Sequence, residues 1–297
     1  QDKEISFRNS NGESGRLDMI VNCENCLIGV EAKVRHLVRN PFSIYDKLLE
    51  ERNRTLERKN KELNSFNHVA SHDLQEPLRK IQTFISRLED KETDNLSEKG
   101  LQYLLKIKNS ATRMRALIND LLHFSKVTKP NEVLELTDMN IALEKTKKEL
   151  EELITEKKAI ITADKIPIIT AIPFQVEQLF TNLISNSLKY SKDDTVPNIS
   201  ISYSKVKAIN YSKIKNPKFK YYHKLTFKDN GIGFNKAYAE KIFALFNRLH
   251  SRGEYSGTGI GLSICKKIVD NHQGYIFAEG EVNKGATFQI FFPIIKN

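Results

Sequence analysis

Two glycine clusters carry the first chemical signal of this chain. Asp229-Asn230-Gly231-Ile232-Gly233 opens on a carboxylate, and Ser256-Gly257-Thr258-Gly259-Ile260-Gly261-Leu262 leads into a helix-like stretch ending near Val269. Glycine permits positive φ and has no Cβ to hold a phosphate away. Successive backbone N–H groups leading into a helix make an anion site. Neither cluster has the Gly-Lys-Ser/Thr of a Walker loop, and neither is Gly-x-Gly-x-x-Gly. One cluster alone serves a turn as readily as a ligand. Two, one opened by an acid and the other followed by a helix, mark two places where backbone must approach a ligand closely.

A second signal lies far upstream. His72-Asp73 sits in a stretch whose seam positions are 67, 70, 74 and 77, so His72 is expected to face away from the seam. An exposed imidazole titrates near neutrality and can act as a nucleophile. The adjacent carboxylate can hold one ring nitrogen and leave the other to attack phosphorus. A surface histidine is more often solvated and idle, and His68 is read that way. Pro173 suits the first turn of a helix over 173–190 carrying Asn182, Asn186, Lys189 and Tyr190. Asn182 and Asn186 share a face, and Lys189 reaches the same side. Amide oxygens suit a hard ion such as magnesium, an ammonium suits phosphate, and a tyrosine ring can pack on a base. A plain polar helix face fits the same four residues equally well.

Rigid elements must hold these groups. Leu49, Leu56, Leu63, Ala70, Pro77 and Phe84 repeat every seven residues, as do Asn53, Asn60, Asn67, Leu74, Ile81 and Leu88. The two rows predict a helical seam over 49–88, kinked or short of one backbone bond at Pro77. A loop at 93–97 leads to a second helix ending near 127, with Leu101, Leu104, Lys108, Ala111, Ile118, Leu121 and Ser125 on its seam and Met114 alongside. One hairpin leaves apolar surface exposed and two make a four-helix bundle, which predicts a homodimer. Beyond Pro130, strand-like runs at 133–136, 159–163, 168–171, 198–206, 219–228, 274–279 and 286–293 alternate with helices, one capped by Thr137 or Asp138 and running to about 155. The expected class is α+β, a dimeric four-helix-bundle hairpin followed by a two-layer α/β sandwich. The expected divisions are 1–40, with short strands at 5–8, 16–21 and 33–39; 41–65, a coiled-coil helix; 66–130, the hairpin; and 131–297, the sandwich.

The chain has 297 residues and a formal charge of +10. Seven of the ten excess charges are lysines 205, 207, 213, 215, 218, 220 and 224, in a stretch without a single acid or arginine. A solvated lysine-rich hairpin is favoured there over a nucleic-acid patch, since arginine is the preferred base reader. Three cysteines make no disulfide framework, and Cys23-Glu24-Asn25-Cys26, with His36 nearby, lacks the further ligands of a zinc site. Cys265 is expected in the core. Without a membrane-spanning apolar run or a signal peptide, a cytoplasmic segment is expected. A first residue other than methionine suggests a fragment of a longer protein.

Taken together, the sequence resembles a sensor histidine kinase of a two-component system. Ser71-His72-Asp73-Leu74-Gln75-Glu76-Pro77-Leu78 resembles the phosphoacceptor box of phytochrome-like and PAS-linked kinases. Asn182–Tyr190 resembles the N box, Asp229–Gly233 and Gly257–Leu262 the two glycine boxes, Ile242–Arg248 the F box, and Gly285-Ala286-Thr287-Phe288 the last strand of that ATPase fold. The boxes stand in family order over 46–297, and residues 1–40 loosely resemble the end of a PAS sensor domain. The resemblance implies that Asp229 accepts the adenine amino group, that Asn186 binds Mg2+ with Asn182 nearby, and that Lys189 and Arg248 meet phosphates of ATP. It implies Tyr190 on the adenine, a lid over 245–258, and Gly257, Gly259 and Gly261 as hinge and cradle. Gly231, Gly233, Phe243, Thr258, Leu262 and Thr287 join the expected nucleotide site by membership of the boxes. His72 would receive the γ-phosphoryl group with Asp73 as base or orienter, then pass it to the receiver domain of a response regulator. Glu76 stands where many such kinases carry Thr or Asn, which predicts weak phosphatase activity. Three other classes remain: an ATPase of the same fold, which would lack the His72 hairpin; a silent dimeric scaffold, against which Asp229, Asn186 and both glycine clusters argue; and a nucleic-acid binder through the lysines.

Overall fold

The computed structural model of the protein describes residues 5–8, 14–17, 41–127, 133–215, 217–247, 249 and 257–295, with backbone alone for 5–8, 14–17, 41–46, 57, 60–70, 72 and 126. It divides into two units, residues 1–63 and 64–297. The first contains an antiparallel hairpin of β1 (Ile5–Arg8) and β2 (Ser14–Leu17), with Ile5 opposite Leu17. β2 begins at Ser14, ahead of the expected Arg16. The expected strand at 33–39, Cys23, Cys26 and His36 lie outside the described residues.

Helix α1 (Pro41–Lys91) continues through Pro77, and α2 (Glu98–Val127) returns after a turn at Thr93–Asn95. Apolar spacing explains the pairing, with one correction. The row that closes the hairpin holds Leu78 and Ile85, packed with Leu104, Ala111 and Ile118 of α2, and Ser71 and Ser125 are buried as well. The expected α1 rows lie beside it. Leu49, Leu56, Leu74, Ile81, Phe84 and Leu88 are 40–60% exposed. Leu101 and Met114 of α2 are exposed as well. The physical reason is that α1 is apolar on three heptad positions, and a single antiparallel neighbour covers only one of them. Polar bonds align the two helices: Gln75 Nε2 donates to Asn119 Oδ1 at 3.1 Å, and Lys108 pairs with Glu89 at 2.8 Å.

The sandwich begins with β3 (Glu135–Asp138) and α3 (Met139–Glu149), whose N-cap Asp138 accepts from the Asn140 and Ile141 N–H groups at 2.8 and 3.4 Å. The expected helix to 155 is two helices. Leu150 leaves helical geometry (φ −97°, ψ 10°), and α4 (Glu151–Glu156) follows it. β4 (Ile160–Ala163) and β5 (Ile168–Ala171) precede α5 (Pro173–Lys189). Then come β6 (Asn198–Lys207), β7 (Tyr221–Asp229), α6 (Gly261–Asn271), β8 (Tyr275–Glu281) and β9 (Gly285–Pro293). The main sheet has the order β4-β6-β7-β9-β8, with β4 parallel to β6 and the rest antiparallel; β3 and β5 pair separately.

Strand alternation sorts the residues between two faces. Ile199, Ile201, Leu225, Phe227, Ile276, Ala278, Phe288 and Ile290 point to the helices and join Leu179, Phe180, Leu183, Ile264, Cys265 and Ile268 in one core. The outer face is not bare. Residues 208–215 and 217–220 fold back on it, and Ala208, Ile214, Tyr222 and Phe291 form a second, small core. The lysine-rich hairpin is therefore a folded flap rather than a simple solvated loop. No helix among the described residues is long and apolar enough to cross a membrane.

Candidate active site

Asp229 ends β7 and is only 8% exposed. Its Oδ1 accepts from the Gly231 and Ala286 N–H groups, each at 3.0 Å, and Ser187 Oγ lies 3.2 Å from Oδ2. Burial raises the carboxyl above the usual carboxylate value, and these donors pull it part of the way back. The Ser187 hydroxyl is also 3.1 Å from the Leu183 carbonyl, so its one proton has two acceptors. Gly231 packs so closely on the Tyr190 carbonyl that no Cβ would fit, and Gly233 has φ +62°.

Around Asp229 lies a cavity with an apolar body and a few polar groups, the usual make-up of a small-molecule site. Asn186, Tyr190, Gly233 and Leu262 line it as expected, together with Ser187, Phe234, Ile242, Asn247, Leu249, Ala286 and Phe288. Two expected members are elsewhere. Thr287 pairs with Lys228 and Glu279, on the face of the sheet away from Asp229, and its neighbours Ala286 and Phe288 take the cavity side. Phe243 packs against the core while Ile242 reaches the cavity. Arg248 and most of the expected lid are outside the described residues.

A cradle of different chemistry adjoins the cavity. Gly261 starts α6 opposite Asn182, and a Cβ there would stand 3.2 Å from Asn182 Oδ1 and 4.0 Å from Asn186 Nδ2. Asn182 Nδ2 is buried without a hydrogen-bond partner. Lys189 Nζ fills the place where a Gly257 Cβ would be, 4.6 Å above the Tyr190 ring. Gly259 has φ +80° between them. An unpartnered amide, an ammonium and a helix N-terminus facing a Cβ-free gap fit a phosphate chain with a bound cation.

The cradle meets the hairpin directly. The Thr258 hydroxyl donates to the Asp120 carboxylate on α2. Val127, at the end of α2, is buried in the sandwich core with Leu117 and Phe124 packed nearby, and Asn271 Nδ2 donates to its carbonyl at 2.7 Å.

Comparison with known proteins accounts for both halves. Residues 62–130 match the His Kinase A (phospho-acceptor) domain, and 171–296 match the Histidine kinase-, DNA gyrase B-, and HSP90-like ATPase family. The chain is 37% identical over 239 residues to cyanobacterial phytochrome A of Nostoc sp. (strain PCC 7120), across 80% of this chain and 29% of the phytochrome. It is 30% identical over 240 residues to the sensor protein kinase WalK of Staphylococcus aureus, across 78% of this chain and 54% of WalK. Its fold is similar to that of full-length ShkA, solved in complex with AMPPNP, at a TM-score of 0.55 and 20% identity over 77% of this chain and 45% of that one. The chain belongs to the sensor histidine kinases. It spans 29–30% of the length of the phytochromes it matches.

In this chain His72 occupies α1 between buried Ser71 and exposed Asp73. Gln75, about one helical turn further on, is bonded to Asn119, the neighbour of Asp120. Ser187, Phe234 and Ala286 were not expected in the site. Ser187 carries a signal within the N box, since it follows Asn186 and lies four residues after Leu183. Ala286 and Phe288 become visible only with the register of β9 against β7.

Proposed function

We propose that the kinase binds ATP with magnesium, transfers the γ-phosphoryl group to its own His72 and passes it to an aspartate of a response-regulator receiver domain, working as a homodimer. The observation that supports this reading is the pair of contacts Thr258–Asp120 and Gln75–Asn119: the first joins the glycine cradle to α2, and the second joins the preceding residue of α2 to α1 about one helical turn after His72.

Asp229 would accept the adenine amino hydrogen, held in place by two backbone N–H donors and Ser187. Tyr190, Ile242 and Phe288 would exclude water around the base. Lys189 and the N-terminus of α6 would take the phosphate charge. Asn186 and Asn182 would supply amide oxygens to magnesium, which when bound neutralises charge on the β- and γ-phosphate oxygens. A nitrogen of the His72 ring would form the N–P bond as the bond from the γ-phosphorus to the β,γ-bridging oxygen breaks, releasing ADP. The ring proton would leave to Asp73 or water. Positioning and charge stabilisation provide most of the rate in such transfers. Glu76, exposed and 3.1 Å from Lys80, carries no donor with which to orient a water for dephosphorylation of the regulator.

Incubation with γ-labelled ATP and magnesium tests the central step. The native chain should take up acid-labile, alkali-stable label, and His72→Gln should take up none. Equal labelling of the variant would refute the assignment of His72.

A further inference from the structure

The flap between β6 and β7 has properties that nucleotide binding does not use. Its backbone is pinned: Ala208 N–H donates to the Lys220 carbonyl at 3.0 Å, and Ile214 N–H to the Tyr211 carbonyl at 2.9 Å. Ile214 and Ala208 anchor it on Tyr222 and Phe291. Fixing the flap during folding removes an ordering cost from any later binding.

Its surface combines charge with one prominent apolar group. No acid occurs between Lys205 and Lys224, against seven lysines. Ile209 is 89% exposed, beside an open groove of about 580 Å3 lined by Lys205, Val206, Lys207, Asn210, Tyr211 and Tyr221. Several ammonium groups are held over rings. Lys205 and Lys220 lie 5.5 and 5.7 Å from the Tyr221 centroid, and Lys224 lies 5.0 Å from that of Tyr211. A ring quadrupole orients an ammonium without neutralising it. Of the seven lysines, Lys213 has a carboxylate partner, Glu279 at 2.6 Å.

The same geometry decides between two classes of anionic partner. Single-stranded nucleic acid needs open aromatic faces on which bases stack. Here lysines cover the faces of both groove tyrosines, and Tyr211 also sets its ring edge-on to Phe291. Arginine, the usual base reader, is absent from 205–224. Carboxylates meeting fixed ammonium groups, with an apolar side chain against Ile209, fit the flap without moving a ring. We propose that the flap is a docking surface for an acidic polypeptide segment bearing an apolar anchor. This inference is independent of the phosphotransfer reading, because no flap residue lines the nucleotide cavity.

The test is fluorescence anisotropy on the full chain at about 0.15 M salt, with two labelled probes of equal charge: a peptide of glutamates interspersed with leucine, and oligo(dT). The peptide should bind, and more tightly than oligo(dT). Lys205→Glu with Lys207→Glu should weaken it by about tenfold or more, and Ile209→Ser by about threefold or more. Lys205→Gln with Lys207→Gln repeats the charge arm with a milder change, and melting curves check that each variant is folded. Tighter binding of oligo(dT) would overturn the proposal, as would an Ile209→Ser variant that binds like the native chain. Failure of the peptide to bind, or self-association of the chain abolished by the charge reversal, would overturn it too, the latter assigning the surface to a second copy.

Discussion

Asp229 holds a carboxylate where burial opposes its charge. Because its folded-state pKa lies above the ordinary value, ionisation costs folding stability. That cost is absent well below about pH 4 and is reached in full once pH has risen through the raised pKa. Asp229→Asn should therefore unfold at the same or a higher temperature at neutral pH, since the amide oxygen can still accept from Gly231 and Ala286. Nucleotide binding should move the other way. The new NH2 would face the adenine amino group, and losing a hydrogen bond to a charged acceptor costs about 1.5–3 kcal/mol, or roughly 10–150-fold in affinity. Calorimetric titration with ATP and a thermal melt on the same sample check both halves; a variant that loses stability and keeps affinity would contradict this role. At this scale much of the site was legible. Asn182, Asn186 and Lys189 come together because helical spacing puts them on one side of α5, and Tyr190 follows as its C-cap. Thr287 shows the limit. Membership of the last box suggested a ligand contact, but which member of β9 faces the cavity depends on its register against β7, and a one-residue offset changes the face.

His272 links two elements that both serve the site. Its Nε2 accepts from the Ile172 N–H ahead of α5 at 2.9 Å, and its Nδ1 donates to the Ile268 carbonyl of α6 at 2.7 Å. The tautomer is thereby fixed, with the proton on Nδ1. The ring also meets Phe292 edge-on, with centroids 5.3 Å apart. His272→Phe keeps an aromatic ring and removes the acceptor, leaving the buried Ile172 N–H orphaned. The expected cost is about 1–3 kcal/mol, or a melting temperature lowered by roughly 2–12 °C for a domain of this size. His272→Gln, which can restore an acceptor, should recover part of the loss in the same melt; equal loss in both variants would mean that shape rather than the hydrogen bond matters. Strand and helix order could be read ahead of the structure because period-two and helical patterns are strong in β6, β7, β9 and α5. The flap could not. Its anchors Ala208, Ile214, Phe219 and Tyr222 alternate with lysines, so the segment has the average composition of a loop, and only the apolar outer face at Tyr275, Phe277 and Phe291 gives those anchors something to bury against.

For the molecule as a whole, the width of the apolar stripe on α1 bears on the proposed dimer. Leu78 and Ile85 are covered by α2, whereas Leu74, Ile81, Phe84 and Leu88 stay 40–60% exposed on the adjoining heptad positions. The sequence pattern located this stripe and predicted a bundle, but it assigned the wrong row to the hairpin, since spacing reports which positions are apolar and not which neighbour covers each. An antiparallel pair leaves such surface in water, and a second hairpin can bury it as a four-helix bundle. Burying a large apolar side chain fully is worth about 1.5–3 kcal/mol, and those half-exposed here about half that. Ile81→Glu with Phe84→Glu removes two such groups from each protomer, four per dimer. The double variant should weaken dimerisation by roughly 3–6 kcal/mol, at least a hundredfold, and set like charges against each other across the seam. Sedimentation at micromolar concentration should find the native chain dimeric and the variant monomeric. Helical circular dichroism should change little, because the row that closes the hairpin is untouched. A native chain that sediments as a monomer at that concentration, or a variant that remains a dimer, would mean that this stripe is not the dimer seam.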